Sequence, residues 1–317
     1  MEPTITDMLH AARRIAPHLS ATPLLNHPAL DAETGARVFV KHENLQPTGA
    51  FKVRGGINLL SRMDESERRA GVVGYSTGNH AQSLAHASRL FGAPCRIVMP
   101  RDPNPVKAAA VTALGAELIE HGAVFDDTKA RASELAEHHG ARLVSAANEP
   151  DLIAGVGTLY LELLAARPEI DAILVPVGSG SSAAAACLAA EALSPGCRVI
   201  AVQSRQASAA HDSFRAGELV DRPNQTVAEG LATGSGFELP QAIMRKRLDD
   251  FVLVDDAEIR AAQWTLMRTA HTVAEGAGAC ALAGLTALGE RLAGATVAIV
   301  CSGGNASPAE LRRVIPE

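Results

Sequence analysis

The sequence predicts an α/β fold with mainly parallel sheets, on two observations. Short apolar runs rich in β-branched residues alternate with segments of helical periodicity along nearly all of the 317 residues, as in strands joined by crossover helices. Turns such as Gly92-Ala93-Pro94 and Gly115-Ala116 recur where a helical segment gives way to a strand. The sequence has no low-complexity linker and no heptad repeat, so any domain boundary is expected to be a crossover of a compact chain.

Each predicted element follows from its periodicity. The strands are apolar runs too short for helices, at 38–40, 72–75, 96–99, 118–119, 142–144, 173–177, 199–202, 251–254 and 297–300. The helices repeat apolar residues every three or four positions, at 83–91, 105–114, 127–139, 151–165, 182–193, 257–269 and 279–292.

One uncharged segment needs its own justification, because 172–190 is about long enough to cross a bilayer. Pro176, Gly178, Gly180 and three serines interrupt it. We therefore predict a strand, a tight turn and an alanine-rich helix here.

Composition narrows the possible partners and the location. The net charge is −6 and the basic residues are scattered, which argues against nucleic acid and against membranes as partners. The five cysteines are odd in number, widely spaced and mostly within apolar runs. They predict reduced thiols in a cytoplasmic protein rather than a disulfide framework or a zinc site. The N-terminus lacks the pattern of a secretory signal.

Lys52 is the most informative residue. It follows Phe51 within Thr48-Gly49-Ala50-Phe51-Lys52-Val53-Arg54-Gly55-Gly56, and a lysine in such a glycine-rich setting suits an amine that forms a covalent imine with an aldehyde cofactor. The alternative is a lysine at a helix start whose amine merely reaches solvent.

Three further turns are rich in small residues. The turn at 178–182 follows a predicted strand and opens a helix, so its backbone amides and the helix dipole suit a phosphate group. The turn at 76–80 suits an anion for the same reason, although Gly-Asn-His alone would more often be a simple helix cap. The third turn, at 302–305, follows the last predicted strand.

In this order the four motifs resemble those of the fold-type II pyridoxal-phosphate enzymes, close to the threonine/serine dehydratase and serine racemase branch. The resemblance covers nearly the whole chain and implies pyridoxal 5'-phosphate as cofactor. It also implies a tryptophan synthase β-like fold of two three-layer α/β domains with mainly parallel twisted sheets. The large domain would comprise 1–44 and 145–317, and the small mobile domain 45–144. Members of this kind usually form homodimers.

The resemblance also implies residue roles. Lys52 would hold the cofactor and act as the catalytic base on the substrate Cα, with Phe51 beside the cofactor. Asn79 would contact the phenolic oxygen, Ser302 would face the pyridine nitrogen, and Glu275 would lie near the ring, a capping role being the alternative for this glutamate. The phosphate would be held by Gly178, Ser179, Gly180, Ser181 and Ser182, where the family usually has four glycines. The substrate carboxylate would be held by Ser76, Thr77, Gly78, Asn79 and His80.

Thr77 has two interpretations. Dehydratases of the family usually carry Ala there, whereas serine racemase carries a Ser that acts as acid and base. The Thr77 hydroxyl would therefore either be a catalytic group that reprotonates Cα opposite Lys52, or only a ligand of the carboxylate.

Three departures limit what the resemblance implies. Gln203 and Ala209 stand where some relatives hold a divalent cation through Glu and Asp, so no metal site of that type is expected. Glu229 stands where the family usually has Asp, so the substrate need not be threonine. The chain ends soon after the last turn, so a C-terminal effector-binding domain is not expected.

The predicted function is α,β-elimination of a 3-hydroxy amino acid, such as threonine or serine, to a 2-oxo acid and ammonia. One alternative is an amino-acid racemase or a β-replacement enzyme of the same fold. The other is a non-catalytic protein that binds a phosphate-bearing ligand.

Overall fold

A computed structural model describes residues 1–76, 78–103, 105–122 and 125–315. The strands are β1 Leu24–Asn26, β2 Arg37–His42, β3 Val72–Tyr75, β4 Cys95–Met99, β5 Glu117–Glu120, β6 Arg142–Val144, β7 Ala172–Pro176, β8 Arg198–Ser204, β9 Asp250–Val254 and β10 Thr296–Cys301. The helices are α1 Ile5–Ile15, α2 Pro28–Thr34, α3 Lys52–Arg62, α4 Glu65–Ala70, α5 Asn79–Phe91, α6 Pro105–Ala113, α7 Phe125–His139, α8 Pro150–Ala166, α9 Ser181–Leu193, α10 Ala209–Ala216, α11 Glu238–Arg247, α12 Asp256–Thr269, α13 Gly276–Leu288 and α14 Pro308–Val314.

The strands form two sheets. The larger sheet has the order β1-β2-β10-β7-β8-β9, and all its pairs are parallel except β1 with β2. The smaller sheet has the order β5-β4-β3-β6 and is entirely parallel. The predicted fold class is therefore confirmed, and all nine predicted strands are present.

Helices cover both faces of each sheet, as parallel sheets require. On the larger sheet, α8 and α9 belong to one apolar cluster and α12 and α13 to another. On the smaller sheet, α3 and α5 pack on one face and α7 on the other. The strands of the smaller sheet all lie within 72–144, inside the small domain predicted from the sequence, although the domain boundaries themselves stay a prediction.

The doubtful segment at 172–190 folds as predicted. Its first part is β7, buried at the centre of the larger sheet, and its last part belongs to the buried helix α9. None of the described helices is both long and apolar enough to cross a membrane. All five cysteines are buried and unpaired in the described part of the chain.

Candidate active site

A cleft of about 130 Å³ lies where β3, β7 and β10 end. The carboxyl ends of parallel strands are where α/β folds place their ligand sites. The predicted site residues that line it are Phe51, Lys52, Ser76, Gly78, Asn79, His80, Gly178, Ser179, Gly180, Ser181, Ser182, Glu275 and Ser302. Thr77 lies outside the described residues. The structure thus brings the other predicted residues together, while their individual roles stay predictions.

Backbone pairing fixes the position of Lys52. The preceding residue, Phe51, donates its N–H to the carbonyl of Ser302 at 3.0 Å, and Ala50 forms an isolated bridge with Gly303. On the other side, Oγ of Ser83 donates to the carbonyl of Lys52 at 2.6 Å. The lysine therefore begins α3 directly opposite the end of β10.

The Lys52 amine contacts the predicted phosphate turn. Its Nζ donates to Oγ of Ser181 at 2.8 Å, to Oγ of Ser179 at 3.2 Å and to the carbonyl of Ala146 at 3.2 Å. Burial of the amine lowers the pKa of Lys52 to about 8. Near neutral pH, part of the Lys52 population therefore carries an uncharged amine, which is the nucleophile that imine formation requires. The alternative of a lysine that merely reaches solvent is therefore wrong.

The turn at 178–182 has the geometry of a phosphate cradle. Gly180 is the N-cap of α9 in the left-handed region, with φ +87°, where a side chain is disfavoured. A Cβ on Gly178 would lie 2.5 Å from the carbonyl oxygen of Gly230, so only glycine fits there. The two glycines thus occupy the positions that need them. The turn fits a phosphate through backbone amides and the positive end of α9.

A buried tyrosine supports this turn from behind. The hydroxyls of Tyr160 and Ser182 lie 2.7 Å apart, and both side chains are buried. Tyr160 is on α8, whereas Ser182 is in the first turn of α9. Sequence reasoning missed Tyr160, since nothing in its surroundings distinguishes it from a core aromatic residue.

A chain of three polar side chains fixes the amide of Asn79. Asn305 donates its Nδ2 to Oδ1 of Asn79 at 2.8 Å, and Asn79 donates its own Nδ2 to Oε1 of Glu275 at 2.5 Å. Burial raises the pKa of Glu275, although the positive charge of Lys107 acts in the opposite direction. Glu275 occupies the N-cap position of α13, but its side chain makes no capping hydrogen bond, so the capping alternative is wrong.

Two of the buried side chains that line the cleft, those of Ser302 and His80, carry no charge at neutral pH. Ser302 is buried, and its Oγ donates to the carbonyl of Ala277 at 3.2 Å. His80 is also buried, and that burial lowers its pKa to about 3. The imidazole is therefore uncharged at neutral pH and adds no positive charge to the site.

Lys107 is a site residue that sequence reasoning missed. It is on α6, 6% exposed, and its Nζ forms an ion pair with Glu229 in the short 3-10 helix Glu229–Leu231. Both residues line the cleft. A signal was present in the sequence, because Lys107 is the one charge in the run from Pro105 to Ala113.

The place where some relatives hold a divalent cation contains the side chains of Gln203 and Ala209. Gln203 is fully buried, and its Oε1 accepts the N–H of His211 at 2.9 Å, while Ala209 is also buried. Across the described ranges, no three His, Cys, Asp or Glu residues are grouped so that they could hold a metal ion. That the protein works without a divalent cation stays a prediction.

The fold and the cleft together define a pyridoxal-phosphate-dependent enzyme. The chain matches the family described as "Pyridoxal-phosphate dependent enzyme" over residues 15–303, and it belongs to that family. The predicted family, fold class and cofactor are confirmed.

Named relatives narrow the class further. The chain is 39% identical to the L-threo-3-hydroxyaspartate ammonia-lyase of Pseudomonas sp, over 94% of each chain. It is 37% identical to the L-threonine ammonia-lyase of Thermotoga maritima, over 98% of this chain and 78% of the relative. Among solved structures, maize serine racemase superposes with a TM-score of 0.94 at 32% identity, over 99% of this chain and 97% of that one. The ammonia-lyases confirm the predicted class of activity, and the racemase is consistent with the alternative.

Proposed function

We propose that this protein is an ammonia-lyase that converts an L-3-hydroxy amino acid to a 2-oxo acid and ammonium. The observation that carries the proposal is the Lys52 amine. Burial lowers its pKa to about 8, and the amine lies against the turn that fits a phosphate. The relatives named as ammonia-lyases supply the substrate class, with 3-hydroxyaspartate and threonine as the first candidates.

Different residues of the cleft would carry out different steps of the reaction. The turn from Ser76 to His80 holds the α-carboxylate with backbone amides at the start of α5. Lys52 removes the Cα proton. The protonated Lys52 side chain can pass that proton to the departing β-hydroxyl, which leaves as water. The enamine product is then hydrolysed, which consumes one water and releases ammonium. When bound, pyridoxal phosphate supplies the electron sink that makes the Cα proton acidic.

The same residues would hold the cofactor. Gly178 to Ser182 would bind its phosphate, and Asn79 would face its phenolic oxygen. Ser302 would face the pyridine nitrogen with a neutral hydroxyl. Such a partner makes the ring a weaker electron sink than a carboxylate would, which favours prompt elimination over transamination.

Three further parts of the proposal rest on the sequence analysis alone. They are a homodimer, a cytoplasmic location, and a mobile domain at 45–144 that closes over the substrate against 1–44 and 145–317. Closure would exclude water from the cleft. Small-angle scattering with and without substrate would measure both the dimer and the closure.

The experiment is 2-oxo acid release by the purified, cofactor-loaded protein. The panel contains L- and D-serine, threonine, 3-hydroxyaspartate and phenylserine. We expect release from at least one L-substrate and none from Lys52→Ala, whereas Lys129→Ala, which removes an exposed lysine on α7, should keep the wild-type rate. D-amino acid in excess of 2-oxo acid would instead indicate a racemase, and incorporation of an added thiol would indicate β-replacement. A protein that stays colourless with pyridoxal phosphate would overturn the proposal.

A further inference from the structure

The described lining of the cleft contains one basic side chain, that of Lys107, that the proposed reaction does not use. Among the described side chains that line it, Lys52 and Lys107 are the two lysines, and none is an arginine. Lys52 is committed to the cofactor and the Cα proton. His80 is neutral, because burial lowers its pKa to about 3. Lys107 is therefore the group available to attract a second negative charge on a substrate.

Lys107 lies over the turn predicted to hold the substrate. A Cβ built on Gly78 would lie 3.7 Å from Nζ of Lys107, so the ammonium reaches the backbone at the start of α5. Its charge also acts on the buried carboxyl of Glu275. A substrate whose α-carboxylate occupies this turn would extend its side chain within reach of Lys107.

In the structure, Lys107 already binds a carboxylate in the cleft, that of Glu229. Its partner Glu229 comes from the opposite side of the cleft, 122 residues further along the chain. The two side chains differ in exposure, since that of Lys107 is 7% exposed and that of Glu229 is 46% exposed. Lys107 is thus the more buried member of the pair, and its ammonium has to keep an anionic partner inside the cleft.

We propose that Lys107 is the residue that binds the second carboxylate of a four-carbon hydroxy dicarboxylic amino acid, by exchanging Glu229 for the substrate. The inference rests on the proposed function and gives its substrate class, 3-hydroxyaspartate. The exchange replaces one carboxylate by another, so it leaves no buried charge unpaired, and this avoids the largest cost of opening such a pair. A substrate with a neutral side chain, such as threonine, leaves the Lys107–Glu229 pair in place.

Two single variants test the exchange because they should act in opposite directions. Lys107→Gln removes the charge, and the ratio of kcat/KM for L-threo-3-hydroxyaspartate to that for L-threonine should fall by roughly 10- to 100-fold, the range for a hydrogen bond between charged groups. Glu229→Gln removes the competing carboxylate and should raise that ratio. Lys129→Gln removes an exposed charge from the same part of the chain and should leave the ratio at the wild-type value.

Binding of succinate gives a readout that does not depend on turnover. Succinate has the two terminal carboxylates of 3-hydroxyaspartate without its reacting groups, and butyrate is the matched monocarboxylate. By calorimetry on the cofactor-loaded protein, succinate should bind more weakly to Lys107→Gln and more tightly to Glu229→Gln, while butyrate should change little. If Lys107→Gln fails to fold, the tighter binding by Glu229→Gln carries the test.

The remaining outcomes decide against the exchange. Equal losses for both substrates would place Lys107 on the α-carboxylate, and parallel losses in both variants would make the ion pair a clamp between the two sides of the cleft. Either result would overturn the inference. Turnover of 3-hydroxyaspartate that is insensitive to Lys107 would overturn it while leaving the proposed function intact. If succinate binding depends on Lys107 but no hydroxy amino acid yields a 2-oxo acid, the role of Lys107 would stand and the proposed function would be overturned.

Discussion

Glu43 and Arg54 form a buried bidentate ion pair, and Arg54 lies two residues after Lys52 in the first turn of α3. Nε of Arg54 lies 2.8 Å from Oε2 of Glu43, and Nη2 lies 2.8 Å from Oε1. The two side chains are 1% and 0% exposed. Burial alone would raise the pKa of Glu43, but the charge of Arg54 lowers it below its ordinary value. The pair therefore fixes the first turn of α3, which carries Lys52.

Breaking this pair should destabilise the protein strongly. Arg54→Gln removes the cation that pairs with both Glu43 and Glu162 and leaves Glu43 buried without its ion-pair partner. We therefore expect the free energy of unfolding to fall by about 3–5 kcal/mol. The measurement is urea unfolding followed by circular dichroism. The matched control is Arg69→Gln, which breaks the exposed pair of Arg69 with Glu65, and it should leave the midpoint unchanged. A loss for Arg54→Gln as small as that of the control would contradict the structural role.

Gly180 should matter for the cofactor beyond its effect on stability. Both Gly180→Ala and Gly217→Ala place a side chain in the left-handed region, at φ +87° and +79°, and each should cost about 1 kcal/mol or somewhat more. A Cβ on Gly217 meets no atom within 4 Å, whereas a Cβ on Gly180 lies 3.0 Å from Cβ of Pro240. Only Gly180→Ala should raise the Kd for pyridoxal phosphate, measured by equilibrium dialysis. An equal Kd in both variants would argue against the phosphate cradle.

Tyr160 should contribute to cofactor affinity without touching the cleft. Tyr160→Phe removes the hydrogen bond to Ser182 and keeps the ring in the core, so the free energy of unfolding should fall by about 1 kcal/mol. Because Ser182 belongs to the phosphate turn, the Kd for pyridoxal phosphate should rise as well. A double-mutant cycle with Ser182→Ala isolates the coupling. If the two effects are simply additive, the hydroxyl pair does not support the turn.

The sequence was sufficient for β2 to β10 but not for the helix that begins with Lys52. Two adjacent glycines in α3, Gly55 and Gly56, disfavour a helix on propensity. The structure shows why they are there, because a Cβ on Gly55 would lie 2.9 Å from the carbonyl oxygen of Leu152 and one on Gly56 would lie 2.7 Å from that of Ser83. Close approach of α5 and α8 requires glycine at both positions. This tertiary requirement is invisible to local periodicity.

The site was predictable where it lies on turns and not where it depends on packing. Glycine-rich turns after apolar strands indicate anion sites through local chemistry, so most lining residues could be predicted. Lys107 and Asn305 act through partners 122 and 226 residues away. Residue-by-residue reasoning treats such a lysine as a surface charge. β1 was missed because it has three residues and an exposed Leu25, which is too short for a periodicity signal.

The enzyme should work without a divalent cation. At the place where some relatives hold the cation, Gln203 has a neutral amide, and its Oε1 already accepts the N–H of His211. A hard cation prefers charged oxygen ligands, so this amide is a poor ligand for it. Treatment with a chelator should leave kcat/KM unchanged, and added magnesium should not raise the melting temperature. The double variant Gln203→Glu with Ala209→Asp, which supplies two carboxylates, should gain a magnesium-dependent rise in melting temperature. A chelator-sensitive wild-type protein would show that another cation site exists.

Capture of the cofactor should depend on pH through Lys52. Its pKa is lowered to about 8 by burial, so the reactive neutral amine increases with pH and is the main form above about pH 8. The second-order rate of covalent attachment of pyridoxal phosphate to the apo-protein should therefore rise roughly tenfold per pH unit at neutral pH and level off above the midpoint. Stopped-flow absorbance would measure it, with Lys52→Ala as the blank. Free butylamine, whose amine is not buried, provides the reference profile and should continue to rise at higher pH.

The serine beside the amine allows the cause of that profile to be tested. Ser181 accepts a hydrogen bond from the charged form of Lys52 at 2.8 Å, which favours the protonated state. Ser181→Ala removes this support but keeps the burial, so the midpoint should move to lower pH even if the limiting rate falls because the phosphate turn is weakened. A midpoint that stays in place or moves to higher pH would mean that the Ser181 hydroxyl does not stabilise the charged form of Lys52. The direction of this shift therefore tests the physical basis of the assignment independently of turnover.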